Sequence, residues 1–400
     1  MILFLHHRYR VPGGEERAVE DLMWLVSERL GEDAQLLTRD SAGLSRARAA
    51  AGLVGGGLHA DEVARAVRRT RARVLHAHNV HPTLGWRALA AARDAGAAVV
   101  LHLHQYRLVC ATGVCFRDGR ECTSCRGANT LPGVLHNCRG SRAEAAAYAI
   151  ALARWQRRLA AQVDVFIAPS AHAVRRLREL HAPLGPVALV PHVSRGLASG
   201  GRRAATGRPA PPSSGGHALL AARLVPEKGV EVAIDACRRA GVRLVIAGEG
   251  PERQRLEPRC PEVSFVGRLP EAELRALRES ASVAVVPSLF AETFGLAAAE
   301  AMAAGVPVAA SRIGALPELV PEPWLAPPGD APALAAAIRR ILADPGARAT
   351  ALERARRLTS PDTVAAALAS AYEAAQRSRA QRAGAGGPGA GGPGARLTGA

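Results

Sequence analysis

Short apolar runs alternate with helix-period segments along almost the whole chain, and the alternation is interrupted once, at residues 196–216 (GLASGGRRAATGRPAPPSSGG). In the first half the strand-like runs are Met1 to Leu5, Val74 to His76, Ala98 to His104 and Val163 to Ala168. Helical patterns cover Glu16 to Arg29, residues 141 to 162, and a segment capped by Ser170. In the second half, strand patterns at residues 218–222, 243–247, 263–266, 283–287 and 307–311 alternate with helices starting near Val230, Glu271 and Phe294. Further helices follow at 331–343 and 361–378. Alternating β and α segments read as strand–helix–strand units on parallel sheets. The chain therefore divides into a first doubly wound domain at 1–195, a Gly/Pro/Ser/Arg linker at 196–216 and a second doubly wound domain at 217–378. A ligand cleft is expected between the halves. The Gly/Ala/Pro-repeat tail, 379–400, is expected to be disordered.

At 400 residues the chain has ample material for two cores. No uncharged run reaches the roughly 18 residues of a membrane-crossing helix, so a cytoplasmic location is expected. A formal net charge of +17 fits nucleic acid, an anionic membrane or phosphate-bearing ligands equally well. Nucleic acid is disfavoured because aromatic residues make up only 4% of the chain and no stacking platform is visible. Basic segments at Arg154–Arg158 and Arg175–Arg178 suit peripheral contact with the inner face of a membrane, although such runs are commonly solvated faces. A nicotinamide dehydrogenase is excluded by the lack of a Gly-x-Gly-x-x-Gly after the first strand. Nearly all of the positive charge is Arg, and Lys228 is the sole lysine. A compact ammonium at a tight phosphate site is not replaceable by a planar guanidinium, which singles out Lys228.

The stretch PSLFAETFGLAAAEAMAAGVPVAAS, Pro287 to Ser311, carries the most chemistry. Glu292 ends a loop after a buried strand. Phe294, Gly295 and Leu296 open a helix, and Glu300 lies on that helix eight residues beyond Glu292. Unpaired N–H groups at a helix start make an anion site, and carboxylates on either side can accept hydrogen bonds from hydroxyls. A sugar, diphosphate and ribose in series present that pattern. This stretch resembles the Glu, seven residues, Glu signature of retaining glycosyltransferases of family 4, which have the GT-B fold. ARLVPEKGVEVAIDA (222–236), AGEGPER (247–253), VSFVGRLP (263–270), VPGGEER and LHLHQYRLVC extend the resemblance. It implies that Arg223 and Lys228 grip the donor diphosphate, that Glu300 holds the ribose and Glu292 the transferred sugar, and that the loops at Gly248 and Arg268 face the base. It further implies that the glycine loop at Gly13 and Gly14 admits a phosphate or acceptor, and that His104 stands beside the donor sugar. Ala222 replaces a common family Gly, which bears on the tightness of one turn.

The activity so implied is transfer of a sugar from a nucleoside-diphosphate-sugar donor to a saccharide, lipid-linked or small-molecule acceptor, with retention of configuration. The alternative is a GT-B-fold enzyme that modifies the nucleotide sugar itself, such as an epimerase. No Asp-x-Asp occurs, so fixed cations are expected to replace a catalytic divalent metal. His76, His78 and His81 suggest a metal set but lack accompanying carboxylates. Cys110, Cys115, Cys122, Cys125 and Cys138 crowd into 29 residues. Cys110, Cys122, Cys125 and Cys138 are the expected ligands of a structural zinc, with reduced, metal-free thiols as the alternative.

Overall fold

The computed structural model describes residues 1–9, 13–40, 43–198 and 216–385, with the side chains of 384 and 385 left aside. Most of the expected linker, and the tail from 386, lie outside the described residues.

The first half contains β1 (Ile2–Arg8), β2 (Ala34–Asp40), β3 (Val74–Ala77), β4 (Ala98–His102), a small antiparallel hairpin of β5 (Phe116–Arg117) and β6 (Arg120–Glu121), then β7 (Val165–Ala168) and β8 (Val187–Leu189). Apart from the hairpin these strands form one parallel sheet in the order β2-β1-β3-β4-β7-β8. The second half contains β9 (Ala218–Ala221), β10 (Leu244–Ala247), β11 (Ser264–Gly267), β12 (Val283–Val286), β13 (Val308–Ser311) and β14 (Leu325–Ala326). They form a second parallel sheet in the order β11-β10-β9-β12-β13-β14. Central strands such as β3, β4, β7, β10, β12 and β13 are buried along their whole length, which is why they read as apolar runs rather than alternating ones. Side-chain caps start several helices: Ser170 Oγ accepts from the Ala173 N–H at 3.0 Å, and an Asp330 carboxylate oxygen accepts from the Ala333 N–H at 2.8 Å.

Strand order reverses between β1 and β3 in the first sheet and between β9 and β12 in the second. Ligands of open parallel sheets bind outside the carboxyl ends of the strands at such points. The two crevices face one another, and hydrogen bonds cross between them. Tyr106 donates to the Ala291 carbonyl at 3.1 Å, Thr293 Oγ1 to the His104 carbonyl at 2.8 Å, and Ser170 Oγ to the Thr293 carbonyl at 2.7 Å. The carboxylate of Glu318 accepts from the N–H groups of Ala171 and His172 at 3.0 and 2.6 Å, capping a first-domain helix from the second domain.

The helix expected to end at 378 runs from Pro361 to Ala385, and it packs on the first sheet rather than the second. Val364, Leu368, Tyr372 and Ala375 join the core formed by Ile2, Phe4, Val74 and Val100. Each large apolar side chain so buried contributes about 1.5–3 kcal/mol, so the last helix ties the end of the chain back to the first domain. The expected boundary at 379 fails for an electrostatic reason. Asp164 is 1% exposed, and its carboxylate accepts from the Val99 N–H at 2.8 Å, from Ser378 Oγ at 3.3 Å and from the Arg382 guanidinium. A buried carboxylate needs such partners, and two of them lie at or beyond that boundary. Among the described residues, no helix is long and apolar enough to cross a membrane.

Candidate functional site

The loop after β9 carries Arg223 and Lys228, and the loop after β12 carries Ser288, Phe290 and Glu292, so the reversal point of the second sheet brings these residues together. Lys228 Nζ donates to Glu292 Oε1 at 2.7 Å and stands 4.8 Å from the Phe290 ring centroid. Ser288 Oγ donates to the same carboxylate oxygen at 2.7 Å. Arg223 is mostly exposed and, among the described residues, its ion-pair contact is with Glu227 at 3.9 Å, so its guanidinium is available to an anion. Tight backbone approaches hold the loops in register. Gly248 has φ +149°, and a Cβ there would meet the Ala222 carbonyl oxygen at 1.8 Å. The turn that Ala222 occupies is therefore kept close by the glycine opposite it.

The helix Leu296–Ala303 begins behind Gly295, and Phe294 lies edge-on to His192 with ring centroids 5.0 Å apart. On the other side of the cleft is the glycine loop. A Cβ at Gly14 would come 2.9 Å from Leu296 Cδ1, so glycine lets the two domains meet. Gly13 donates its N–H to Glu16 at 2.7 Å, closing the start of the helix Gly14–Leu30. Arg268 is exposed just after β11, on the same side of the sheet as Gly248.

Glu300 is not free. Arg278, 5% exposed, donates to its Oε2 at 2.7 Å, and Arg17 of the first domain approaches its Oε1 at 3.3 Å while pairing with Glu271 at 2.7 Å. The sequence reading did not single out Arg17 or Arg278. Arg17 lies three residues beyond Gly14, and Arg278 is the buried residue of a helix whose other side chains are more exposed, a signal that emerges only once burial is known.

His104 lies just beyond β4, which ends at His102. Its Nε2 is 2.7 Å from His78 Nδ1. Burial, with His192, His6 and His76 nearby, holds its pKa well below the usual histidine range, so the ring is neutral at pH 7. The pocket around it is lined by Tyr9, Glu15, His78, Gln105 and Arg107. Glu15 accepts from the Tyr9 hydroxyl at 2.9 Å and from Gln105 at 3.4 Å. Burial pushes its carboxyl pKa upward. Glu15 and His78 thus belong to the cleft although only the neighbouring glycines and His104 were expected there. His81 also borders this pocket and lies edge-on to Tyr148, with ring centroids 5.7 Å apart.

The expected zinc ligands Cys110, Cys122, Cys125 and Cys138 are free thiols among the described residues. No three of their sulfurs lie within 4.8 Å of one another among the described residues. Cys115, left out of that set, is buried and hydrogen-bonded to Cys110, which lowers the Cys110 thiol to about 5. The hairpin β5–β6 and a Cys122 N–H to Cys115 carbonyl bond of 2.7 Å order the loop instead. Cys237 and Cys260 are core residues, as expected.

Two facing Rossmann-like domains with a cleft at their reversal points define the GT-B architecture. Residues 12–192 match the family described as "Glycosyl transferase 4-like domain", and residues 216–344 match "Glycosyl transferases group 1". Glycogen synthase of Mycobacterium tuberculosis is 42% identical over 177 residues, 40% of this chain and 42% of that protein. The chain thus spans less than half the length of that relative. Sucrose-phosphate synthase from Thermosynechococcus elongatus superposes with a TM-score of 0.64 at 21% identity, covering 93% of this chain and 98% of that one. Anabaena HepE, solved in complex with UDP and glucose, gives 0.58 at 18% identity over 93% and 99%. At these identities the structural likeness speaks for the fold.

Proposed function

We propose that this chain is a nucleotide-sugar-dependent glycosyltransferase that acts with retention of configuration on a saccharide, lipid-linked or small-molecule acceptor. The observation that carries this reading is the grouping of Arg223, Lys228, Glu292 and a helix start at the reversal point of the second sheet, facing the His104 pocket of the first. In this scheme Arg223 and Lys228 neutralise the leaving diphosphate, assisted by the N–H groups at Leu296. Lys228 now shares a proton-rich contact with Glu292. When phosphate oxygens take the ammonium, the Glu292 carboxylate is released to accept from a hydroxyl of the transferred sugar. Glu300, oriented from behind by Arg278, takes the ribose hydroxyls in place of Arg17. The loops at Gly248 and Arg268 border the base. The glycine loop and His104 face the acceptor side. A neutral imidazole there can accept a hydrogen bond from a hydroxyl without adding charge to the cleft.

Because fixed cations serve the leaving group, no divalent metal is assigned to the chemical step. As positive charge builds on the sugar, the acceptor attacks from the face that the diphosphate leaves. The test is proton NMR of the product: the donor's anomeric configuration should persist in the new linkage. Inversion, or turnover confined to the sugar of the free nucleotide, would favour another mechanism or the epimerase.

A further inference from the structure

Five imidazoles lie packed between the ends of β3, β4 and β8. His76 and His102 sit on adjacent buried strands, His78 and His104 follow two residues beyond each, and His192 follows β8. Ring centroids are 4.4 Å apart for His76 and His78, 5.5 Å for His76 and His102, and 5.3 Å for His78 and His102. These three residues are 0%, 3% and 3% exposed. Polar residues this deep are hydrogen-bonded in ordinary cores. Here the Nε2 atoms of His76, His78 and His102, and Nδ1 of His102, are buried with no partner. One ring nitrogen from each of the three lies within 4.8 Å of the others.

We propose that His76, His78 and His102 bind a divalent late first-row transition-metal ion, zinc being the reference case, through these orphaned nitrogens. Two features favour an ion over a strained core. First, His76 Nδ1 is 2.8 Å from the Tyr372 hydroxyl, and His78 Nδ1 is 2.7 Å from His104 Nε2. A proton on each Nδ1 donates to those acceptors and leaves a lone pair on Nε2, the arrangement by which outer partners fix a metal-bound histidine. Second, imidazole sets select this class of ion. Tetrahedral ligand nitrogens lie roughly 3.3 Å apart at the usual zinc–nitrogen distance, within reach of small ring rotations from separations of at most 4.8 Å. The pocket lined by Glu15, His78, His102 and His104 leaves room on one side for a water as a fourth ligand. The ion would join β3 to β4 and, through His78, fix the ring of His104. Only this last consequence rests on the role assigned to His104 above.

The test uses the full chain purified without a histidine tag, stripped with chelator and titrated with Co²⁺, with metal content measured by elemental analysis after dialysis against Zn²⁺. The expected result is one equivalent, with ligand-field absorption but no thiolate charge-transfer band, retained when Cys122 and Cys125 are both replaced by Ser. His76→Leu and His102→Leu should abolish it while His192→Phe does not. Tyr372→Phe removes the outer partner of His76 without disturbing the apolar packing, and should weaken binding by about 10- to 100-fold. It keeps the test decisive if a histidine variant fails to fold. Less than about a tenth of an equivalent in the wild type, a thiolate-type spectrum, or unchanged affinity in Tyr372→Phe would overturn the proposal. Loss in His192→Phe with retention in His76→Leu would do so too, by moving the ion to His102, His104 and His192.

Discussion

Replacing Lys228 by Ala removes the only ammonium side chain in the protein from the centre of the cleft. Its Nζ lies 2.7 Å from Glu292, and the two side chains are 21% and 12% exposed, so the pair is partly shielded from water. At an effective dielectric near 20, a unit charge about 4 Å from a phosphate oxygen is worth about 4 kcal/mol. Water entering the vacated space returns part of that. Against this, the unpaired Glu292 carboxylate now repels the approaching diphosphate. A net loss of at least about 2.7 kcal/mol in transition-state stabilisation follows, which is about 100-fold in kcat/KM. The fold should survive, because the loss of a partly exposed ion pair costs only about 1 kcal/mol. The assay is release of nucleoside diphosphate from a turned-over donor, with circular dichroism as the control for folding. Arg223→Ala should show a comparable loss, since among the described residues its exposed guanidinium meets Glu227 at 3.9 Å and no closer ion-pair partner. Wild-type turnover in both variants would refute the assignment of the leaving-group cations.

Glu300→Ala should weaken donor binding about tenfold or more with a smaller effect on kcat, because ribose hydroxyls are held alike in ground and transition states; calorimetry with unchanged affinity would count against it. Arg382→Ala should destabilise the protein by up to about 3–5 kcal/mol by stripping the buried Asp164 of its cation, read as a lowered urea midpoint. Burial alone would raise the Glu16 pKa, but the His6 ring 3.6 Å away and hydrogen bonds from the Tyr9 and Gly13 N–H groups outweigh it and hold it at about 2. Its folded pKa lies below its unfolded one, so its stabilising contribution is present above about pH 4.5 and lost as pH falls towards 2. In Glu16→Gln, acid unfolding across that window should be less steep; an unchanged profile would show that these bonds do not matter. Brief exposure to a chelator should leave transfer unaffected, and loss restored by magnesium or manganese would place a metal on the leaving phosphates.

The parallel sheets were legible because their central strands are buried on both faces and so appear as continuous apolar runs. β2, half-buried at an edge with the polar stretch QLLTRD, and the helix Ala347–Thr359, rich in arginine, carry too weak a pattern to be read in that way. Lys228 and Glu292 were legible as a charge anomaly and a loop-end carboxylate. Their direct ion pair was not, because 64 residues separate them and only the crossover from β9 to β12 brings them together. Arg17 meeting Glu300 depends on how two domains close, which no local pattern encodes. The last helix was assigned to the wrong domain for a related reason: an Ala-rich amphipathic segment shows that it has a buried face but not which sheet covers it. The histidines on β3 and β4 interrupt apolar runs at two-residue spacing, yet their convergence follows from strand register alone.

The central claim is that a nucleotide sugar is held where Lys228, Arg223 and Glu292 meet. Thermal unfolding of the wild type and of Lys228→Ala, each against a panel of nucleoside-diphosphate sugars, tests this most directly. A donor at about 100 times its Kd adds about 2.7 kcal/mol to the folded state, which raises Tm by roughly 5 °C or more in domains of this size. At least one donor should produce such a shift in the wild type, and the shift should collapse in Lys228→Ala. A panel in which no donor moves Tm, or in which the variant responds as strongly as the wild type, would contradict the account.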